Sequence, residues 1–385
     1  NGILDVLLDY EDLKKKSTRN LILKDEQSLW RYFPLIPVSK LIGEGTTLRS
    51  AGWTPTFSPP QLKKDLGLKQ LWVKDESSNP TASFKDRASA ILVARAKEIG
   101  AEVIVTASTG NAGAALAGMA AAVSQESVIF APKTAPPAKI AQLLIYGARV
   151  ILVDDNYDAA YQLSLEATAE FGWYNRNTGY NPFTTEGKKT AAFEIWEQVL
   201  LTQKLDRPLC VFVSVGDGNI ISGIHKGFKD LYAIGQIKQV PRIFGCQSTG
   251  SAAIYNAYRS GKEEIIPVSA TTLADSISVN MPSDGLRALR AATQTDGAYI
   301  AVEDEKILEA ISDLGRVGIF AEPAGSTAYA GLKQALEDKL VNENDPILVL
   351  NTGSGLKDVK AARQAAGEAP VIKPVLEEVI KLLDR

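Results

Sequence analysis

Histidine is nearly absent from this sequence, since His225 is the only one among 385 residues. A Ser-His-Asp or Cys-His mechanism would depend on that residue alone, and no nucleophile elbow accompanies it. Cysteine and histidine also form no pair with the spacing of metal ligands, so we expect no bound metal. An enzyme of this composition must draw its chemistry from lysine, hydroxyl groups, backbone amides or a cofactor.

Cysteine is also scarce, and the two cysteines, Cys210 and Cys246, both lie in apolar runs, "LCVFVSV" and "RIFGCQS". Such surroundings are typical of buried free thiols in a reducing compartment. We therefore expect two free thiols in a cytoplasmic protein.

Long apolar runs and a strong net charge are missing as well. No run reaches the length of about 18 apolar residues that indicates a membrane-spanning helix. The net charge of -3 creates no strong field that would attract nucleic acid or an anionic membrane. We therefore expect neither nucleic acid nor a membrane among the partners.

Short apolar runs alternate with amphipathic runs along much of the chain. Continuous apolar runs are typical of parallel strands buried on both faces, and their alternation with helical patterns indicates βαβ units. The predicted strands are 102–108, 126–132, 149–154, 209–215, 242–248 and 347–353. The sequence therefore predicts an α/β fold, and its length suggests two or three domains.

Three of these strands lead into turns that are rich in glycine and small polar residues, "TGNAGAA", "GDGNIISGI" and "TGSGLKD". Ligands of open α/β sheets bind at the carboxyl ends of strands. Free N–H groups at a helix start suit a phosphate or a carboxylate. The second turn is neither a Walker A loop nor a dinucleotide fingerprint, because Ile221 replaces the third glycine. Taken alone, each turn also fits a packing turn or a helix cap.

Lys85 lies in "NPTASFKDRASA", where a strand and a polar turn lead into a predicted helix. A lysine at a helix start opposes the helix dipole, which favours acidic residues there. A lysine that loses its proton near neutral pH can form a Schiff base, whereas a surface lysine would pair with Asp86. Together with a phosphate-binding turn and a strand-end hydroxyl, Lys85 fits one cofactor, pyridoxal phosphate.

The sequence resembles the threonine synthase branch of the fold type II pyridoxal-phosphate enzymes. Five segments match family motifs in family order, namely "NPTASFKDRAS", "ASTGNAGAALA", "TEGKKTAAFEI", "FAEPAGSTAYAGL" and "NTGSGLKD". The resemblance implies an α/β enzyme with two domains, each a mostly parallel twisted sheet flanked by helices, and an active site in the cleft between them. It places a small domain at 61–182 and a large domain at 1–60 plus 183–385, and it implies a homodimer.

The resemblance also implies roles for residues at matching positions. Lys85 would form the Schiff base and move protons at the substrate α-carbon. The other implied cofactor contacts are Phe84, Asn111 at the ring 3′-oxygen, Thr352 at the ring nitrogen, and the amides of Gly216, Asp217, Gly218 and Asn219 at the phosphate. The implied contacts to a small amino-acid substrate are Ser83 and, at the α-carboxylate, Ser108, Thr109, Gly110 and Asn111.

The best-known reaction of this family converts O-phosphohomoserine and water to threonine and phosphate. The chain departs from the family pattern where the substrate phosphate would bind, because Thr184 and Gly179 replace a common arginine and serine. Losing a guanidinium removes a charge-assisted contact worth about 1.5–3 kcal/mol. Lys188, Lys189 and Arg87 are candidates to replace that cation.

Two further hypotheses stay open. The changes at Thr184 and Gly179, together with Ser354 in place of a family His or Asn, favour a β-eliminating or β-replacing enzyme. Such an enzyme, similar to a serine/threonine dehydratase or a cysteate synthase, would act on serine, threonine or an O-activated amino acid. A non-catalytic cofactor-binding protein is the third hypothesis, and the full set of cofactor contacts argues against it. Ala82 and Ala88 also replace family glycines, which we expect to change packing only.

Overall fold

The computed structural model describes residues 3–383, which contain two β-sheets. The strands of the larger sheet are β1 (Thr56–Phe57), β2 (Leu71–Asp75), β7 (Cys210–Ser214), β8 (Arg242–Ser248), β9 (Tyr299–Val302) and β10 (Ile347–Asn351). Those of the smaller sheet are β3 (Val103–Ala107), β4 (Glu126–Pro132), β5 (Arg149–Val153) and β6 (Tyr174–Asn175). The spatial orders are β1-β2-β10-β7-β8-β9 and β5-β4-β3-β6. β1 pairs antiparallel with β2, and the remaining pairs of these strands are parallel.

Helices connect the strands and pack on both faces of the sheets. They are α1 (Tyr10–Lys14), α2 (Pro60–Asp65), α3 (Lys85–Glu98), α4 (Asn111–Ala121), α5 (Pro137–Ile145), α6 (Tyr157–Phe171), α7 (Phe183–Ile195), α8 (Asn219–Ala233), α9 (Ala253–Ser260), α10 (Gly285–Thr293), α11 (Asp304–Gly315), α12 (Pro323–Glu337), α13 (Val359–Ala366) and α14 (Leu376–Leu383). Within residues 3–383, none of them combines the length and the apolar character needed to cross a bilayer.

The apolar runs form strands because both of their faces are covered. In β7, Val211 and Val213 pack with α7 and α8, whereas Cys210 and Phe212 pack with α11 and α12. Burying a side chain such as Val or Phe stabilises a fold by about 1.5–3 kcal/mol. All six strands predicted from the sequence are present, and the predicted α/β fold is confirmed.

β2 belongs to the larger sheet, although the predicted division placed it in the small domain at 61–182. Leu71–Asp75 runs parallel to Ile347–Asn351, with Leu71 opposite Ile347. The position of β2 in the prediction was wrong, because an apolar run does not reveal which sheet it joins. The division of the chain at residues 61 and 182 otherwise stays a prediction.

The helices α3, α7 and α8, which carry residues of the predicted site, pack closely against one another. A methyl group on Gly187 of α7 would lie 2.1 Å from the carbonyl oxygen of Arg87 on α3. One on Gly223 of α8 would lie 2.7 Å from Cβ of Lys188 on α7. The two glycines therefore let the helices approach closely, and α7 is buried around its whole circumference from Thr184 onward, charged residues included.

Candidate active site

The loop before α3 is held against the end of the central strand β10 by backbone hydrogen bonds. The amide of Phe84 donates to the carbonyl of Thr352 over 2.9 Å. Glu322, just before α12, donates its amide to the carbonyl of Gly353 over 3.0 Å. These bonds bring Lys85, Thr352 and Glu322 together at the carboxyl end of the larger sheet, where ligands of such sheets bind.

Lys85 is the first residue of α3, and its side chain is partly exposed. Across residues 3–383 its Nζ has no hydrogen-bond acceptor, and only its backbone amide bonds a side chain, Ser83 Oγ at 3.4 Å. Asp86 is buried, and its carboxylate accepts from the amide of Thr81 over 2.6 Å and from the Thr81 hydroxyl. The alternative of a surface lysine paired with Asp86 is therefore wrong, since the amine of Lys85 is left free.

The electrostatic surroundings of Lys85 favour a reactive amine. Its pKa is lowered to about 8, chiefly by burial and then by the guanidinium of Arg176, against the carboxylates of Asp217 and Glu322. A substantial fraction of the amine is therefore neutral near physiological pH, and the neutral amine is the form that attacks a carbonyl. The predicted Schiff-base role of Lys85 stays a prediction that this environment supports.

The glycine-rich loop between β7 and α8 presents backbone amides without acceptors. Within the described chain, none of the N–H groups of 216–219 donates to a protein group, although most of this loop is buried. A methyl group on Gly216 would lie 2.7 Å from Cα of Ile277, and one on Gly218 would lie 2.7 Å from Cβ of Ala288. Four free amides at the N-terminus of α8 fit a phosphate group such as that of pyridoxal phosphate.

The second predicted anion site lies between β3 and α4. Apart from the amide of Ser108, which donates to a strand carbonyl, the amides of 109–111 have no acceptor in the part of the chain that the structure describes. A methyl group on Gly113 would lie 2.4 Å from the carbonyl oxygen of Ser108, which explains the small residue there. Nδ2 of Asn111 donates to Oε1 of Glu322 over 2.7 Å. The predicted contacts of these residues with substrate and cofactor stay predictions.

The remaining predicted residues lie beside Lys85. Thr352 follows β10 and is 6% exposed, and its hydroxyl bonds no partner among residues 3–383. Ser83 is buried and forms an isolated antiparallel bridge with Gly353. The ring of Phe84 is fully buried in the main hydrophobic core. Phe84 therefore anchors the loop in the core, and its predicted contact with the cofactor stays a prediction.

Glu322 is a residue of the site to which the sequence analysis gave no role. Burial raises the pKa of its carboxyl to about 7, although the amine of Lys85 and the amide of Asn111 lower it. Near neutral pH this side chain can therefore hold or release a proton next to Lys85. Its motif, "FAEPAGSTAYAGL", was identified from the sequence, but the sequence does not show that Glu322 is buried.

Two of the three candidate replacement cations are engaged elsewhere. Arg87 is fully buried and bonds Glu76 over 2.7 Å and Glu194 over 2.8 Å. Nζ of Lys189 lies 2.8 Å from the carboxylate of Asp230. These ion pairs satisfy both cations, so Arg87 and Lys189 are structural and are excluded as substitutes for the missing arginine.

Two buried basic side chains lie near Lys85. They are Lys188, the third candidate, and Arg176, a residue that the sequence analysis missed. The pKa of Lys188 is lowered well below its usual value by burial, then by the positive charges of Lys85 and Arg176. Burial also lowers the pKa of Arg176 to about 10. No sequence pattern marked Arg176, because a single arginine after a short strand is usually exposed.

Gly179 departs from the family pattern for a conformational reason. Its φ is +78°, and a methyl group on it would lie 2.8 Å from both Cβ and Oγ of Ser283. A serine at this position would collide with Ser283, whose hydroxyl fills the same space and donates to Asp217 over 2.8 Å. The positive φ and the proximity of Ser283 therefore explain why glycine occupies position 179.

The two alanines that replace family glycines behave differently. Ala82 has a φ of +63°, a left-handed conformation that favours glycine. The expectation that Ala82 changes packing only is therefore wrong, since the residue strains the loop before Lys85. Ala88 is buried inside α3 in helical geometry, and the expectation that it changes packing only stays a prediction.

The sparse histidine and cysteine residues lie in packed regions. His225 is buried in α8, and burial lowers its pKa to about 4. Cys210 and Cys246 are buried free thiols, as predicted, and burial raises the pKa of both. Among residues 3–383, no group of three His, Cys, Asp or Glu side chains could hold a metal ion.

Comparisons with known proteins agree with this geometry. A family model described as "Pyridoxal-phosphate dependent enzyme" matches residues 47–353. A threonine synthase of Methanocaldococcus jannaschii is 39% identical to 99% of this chain, over 94% of its own length. A threonine synthase of Methanosarcina acetivorans is 33% identical to 98% of this chain, over 92% of its own length.

Solved structures share the fold at lower identity. The processed form of threonine deaminase isoform 2 from Solanum lycopersicum has a TM-score of 0.70 and 24% identity, over 82% of this chain and 83% of that one. O-ureido-L-serine synthase has a TM-score of 0.69 and 18% identity, over 86% of this chain and 98% of that one. The protein is thus a fold type II lyase that depends on pyridoxal phosphate, and the chain belongs to the threonine synthase family.

Proposed function

We propose that this protein is a threonine synthase, which converts O-phosphohomoserine and water to threonine and phosphate. The observation that carries the proposal is the free amine of Lys85 between two sets of unpaired backbone amides, at 109–111 and 216–219. The threonine synthases that are 39% and 33% identical to nearly the whole chain support the choice of substrate.

The chain's own groups would bind and orient the two anionic ligands. The amides of 216–219 would hold the cofactor phosphate, and those of 109–111 would hold the α-carboxylate at the start of α4. Thr352 would contact the ring nitrogen, where a neutral hydroxyl leaves that nitrogen largely unprotonated. When bound, pyridoxal phosphate supplies an electron sink for negative charge at the substrate α-carbon.

Proton transfer at the substrate would rest on Lys85, and Glu322 would position a neighbouring side chain. The neutral amine of Lys85 would take the proton from the α-carbon and later return it, as its pKa of about 8 allows. Glu322, with a pKa of about 7, would keep Asn111 oriented through their 2.7 Å hydrogen bond. In the overall reaction the bond from the γ-carbon to the phosphate oxygen breaks, the γ-carbon becomes a methyl group, and water adds hydroxyl to the β-carbon.

Phosphate release from O-phosphohomoserine, measured together with threonine formation, tests the proposal. We expect both products in equal amounts from the wild-type holoenzyme and neither from Lys85→Ala. A holoenzyme that binds the cofactor and releases no phosphate from this substrate would refute it.

The β-eliminating or β-replacing alternative is favoured by Thr184 in place of an arginine. It predicts that serine, threonine or an O-activated amino acid changes the cofactor absorption and yields a keto acid or a replacement product. The same panel of amino acids, with and without a phosphate group, therefore separates the two functions.

We also propose that the protein is a homodimer, as the family resemblance implies, and that it acts in the cytoplasm. The exposed apolar side chains of α14, such as Leu376 and Leu383, support an additional contact surface. Sedimentation equilibrium of the full chain tests the dimer, and a monomer across micromolar concentrations would contradict it.

A further inference from the structure

Two buried cations of the site have no carboxylate partner. Lys188 and Arg176 are each 1% exposed. Within residues 3–383, the only acceptor of Nζ of Lys188 is Oδ1 of Asn219 at 2.5 Å. Arg176 reaches only the hydroxyl of Ser89 at 3.4 Å through Nε, and its Nη2 has no partner in the same part of the chain.

This arrangement differs from the other buried cations nearby. Lys74, Arg87 and Lys189 are all fully buried, and each lies within 3 Å of a carboxylate oxygen. Burying a cation without an anion is costly, so such groups are normally paired. The lack of a carboxylate beside Lys188 and Arg176 in the described chain therefore indicates that an anion from outside the chain completes the site.

The two cations reach the site from different elements, a helix and the end of a strand. Lys188 lies one helical turn after Thr184 on α7. Both side chains donate to Oδ1 of Asn219, Lys188 over 2.5 Å and the hydroxyl of Thr184 over 3.4 Å. Arg176 directly follows β6 of the smaller sheet and contacts Ser89, one turn after the first residue of α3. The guanidinium of Arg176 lowers the pKa of the Lys85 amine, and the Lys85 amine lowers the pKa of Lys188. The three groups therefore lie within electrostatic reach of one another.

We propose that Lys188 and Arg176 form an anion subsite, separate from the glycine-rich loop, that binds the phosphate monoester of an amino-acid substrate. The inference rests on the proposed function and deepens it. The amides of 216–219 and 109–111 already offer donors for the cofactor phosphate and the α-carboxylate. Two further positive charges match the charge of a phosphate dianion, and a guanidinium supplies the geometry for bidentate binding.

Binding of inorganic phosphate to the holoenzyme tests the subsite, because the bound cofactor already fills the glycine-rich loop. Isothermal titration calorimetry gives the dissociation constant without any turnover. We expect Lys188→Gln and Arg176→Gln each to weaken phosphate binding about 10- to 100-fold, the range of a charge-assisted hydrogen bond. Lys188→Arg keeps the charge and should restore most of the affinity, even if the glutamine variant folds poorly.

Lys189→Gln is the matched control, since Lys189 is the neighbouring buried lysine and pairs with Asp230. We expect it to lower the melting temperature and to leave the dissociation constant of phosphate unchanged. Equal weakening by Lys188→Gln and Lys189→Gln would overturn the proposal. A wild-type holoenzyme that binds no phosphate would also overturn it. The same holds if Lys188→Gln weakens cofactor binding but, once loaded with cofactor, binds phosphate as tightly as wild type.

The subsite and the proposed function can fail separately. If phosphate binding depends on Lys188 but O-phosphohomoserine is not converted, the subsite stands and threonine synthase activity is refuted. If O-phosphohomoserine is converted with the same KM by wild type and Lys188→Gln, the function stands and the subsite is overturned.

Discussion

At the scale of single residues, the loop before Lys85 carries a backbone strain that a glycine would remove. Ala82 has a φ of +63°, and its carbonyl is held by the amide of Ser354 over 3.1 Å. We expect Ala82→Gly to raise the free energy of unfolding by about 0.5–1 kcal/mol, because relief of strain exceeds the added entropy of the unfolded chain. Urea denaturation of the apo-protein measures it.

Ala88→Gly is the control for that substitution, since Ala88 lies inside α3 with ordinary helical geometry. It should lower the free energy of unfolding by about 0.5–1 kcal/mol. Destabilisation by both glycine substitutions would contradict the strain at Ala82.

The titration of Lys85 is a second property at this scale. In apo-protein, the neutral fraction of its amine increases as the pH rises through about 8. The rate at which pyridoxal modifies Lys85, trapped by borohydride and located by mass spectrometry, should therefore be half-maximal near pH 8. Arg176→Gln removes a cation that lowers this pKa, so its midpoint should move to higher pH.

Arg95→Gln provides the comparison for Arg176→Gln. Arg95 lies on the same helix as Lys85 but pairs with Glu98 near the surface. Its loss should leave the midpoint unchanged, and a midpoint that is the same in all three proteins would show that Arg176 does not act on Lys85.

At the scale of elements, a buried ion network joins α3, α7 and β2. The carboxylate of Glu194 on α7 accepts from Arg87 on α3 and from Lys74 on β2, and all three side chains are fully buried. We expect Glu194→Gln to lower the free energy of unfolding by about 3–5 kcal/mol, because it leaves two buried cations short of an anion. The exposed pair of Glu263 and Arg290 offers a control, since Glu263→Gln should leave the free energy of unfolding almost unchanged.

The same elements explain what the sequence could predict. Long apolar runs such as Cys210–Ser214 were recognised as strands because a strand buried on both faces must be apolar throughout. Tyr174–Asn175 and Tyr299–Val302 are too short for periodicity to identify them. Lys85 and the glycine-rich turns follow from local motifs, whereas the burial of Arg176 depends on which distant segments pack around it.

At the scale of the whole molecule, two contacts connect α5, beside the smaller sheet, to segments of the larger one. Lys139 lies 2.8 Å from Asp275, and Lys357 donates to Gln142 over 3.2 Å. Lys139, Asp275 and Lys357 line, together with Glu322, a space with a volume of about 10 Å³. That volume holds about one water molecule, so we expect α5 to move before an amino acid can enter.

Lys139→Ala should therefore speed substrate association by up to about fivefold, the limit for one exposed ion pair. Stopped-flow recording of the cofactor spectrum measures the rate. The gain should disappear at 1 M salt, where the pair is screened in wild type as well.

Lys133→Ala is the control for Lys139→Ala, because Lys133 also forms an ion pair on the surface. Its partner, Asp154, lies beside the same sheet, so this pair does not connect the two sheets. Its association rate should equal that of wild type at every salt concentration. A Lys139→Ala variant with the same rate and salt dependence as Lys133→Ala would show that α5 does not limit entry.

The central position of β10 has a consequence for protein synthesis. β10 lies between β2 and β7, and Thr352 directly after it holds the loop that precedes Lys85. Phe84, the residue before Lys85, and its backbone partner Thr352 are therefore separated by more than two-thirds of the given sequence. A nascent chain that has emerged from the ribosome only as far as β9 carries the lysine and the glycine-rich loop but lacks the strand that joins them. The complete site, and with it the capacity to retain cofactor, can therefore arise only after β10 and Thr352 have been translated.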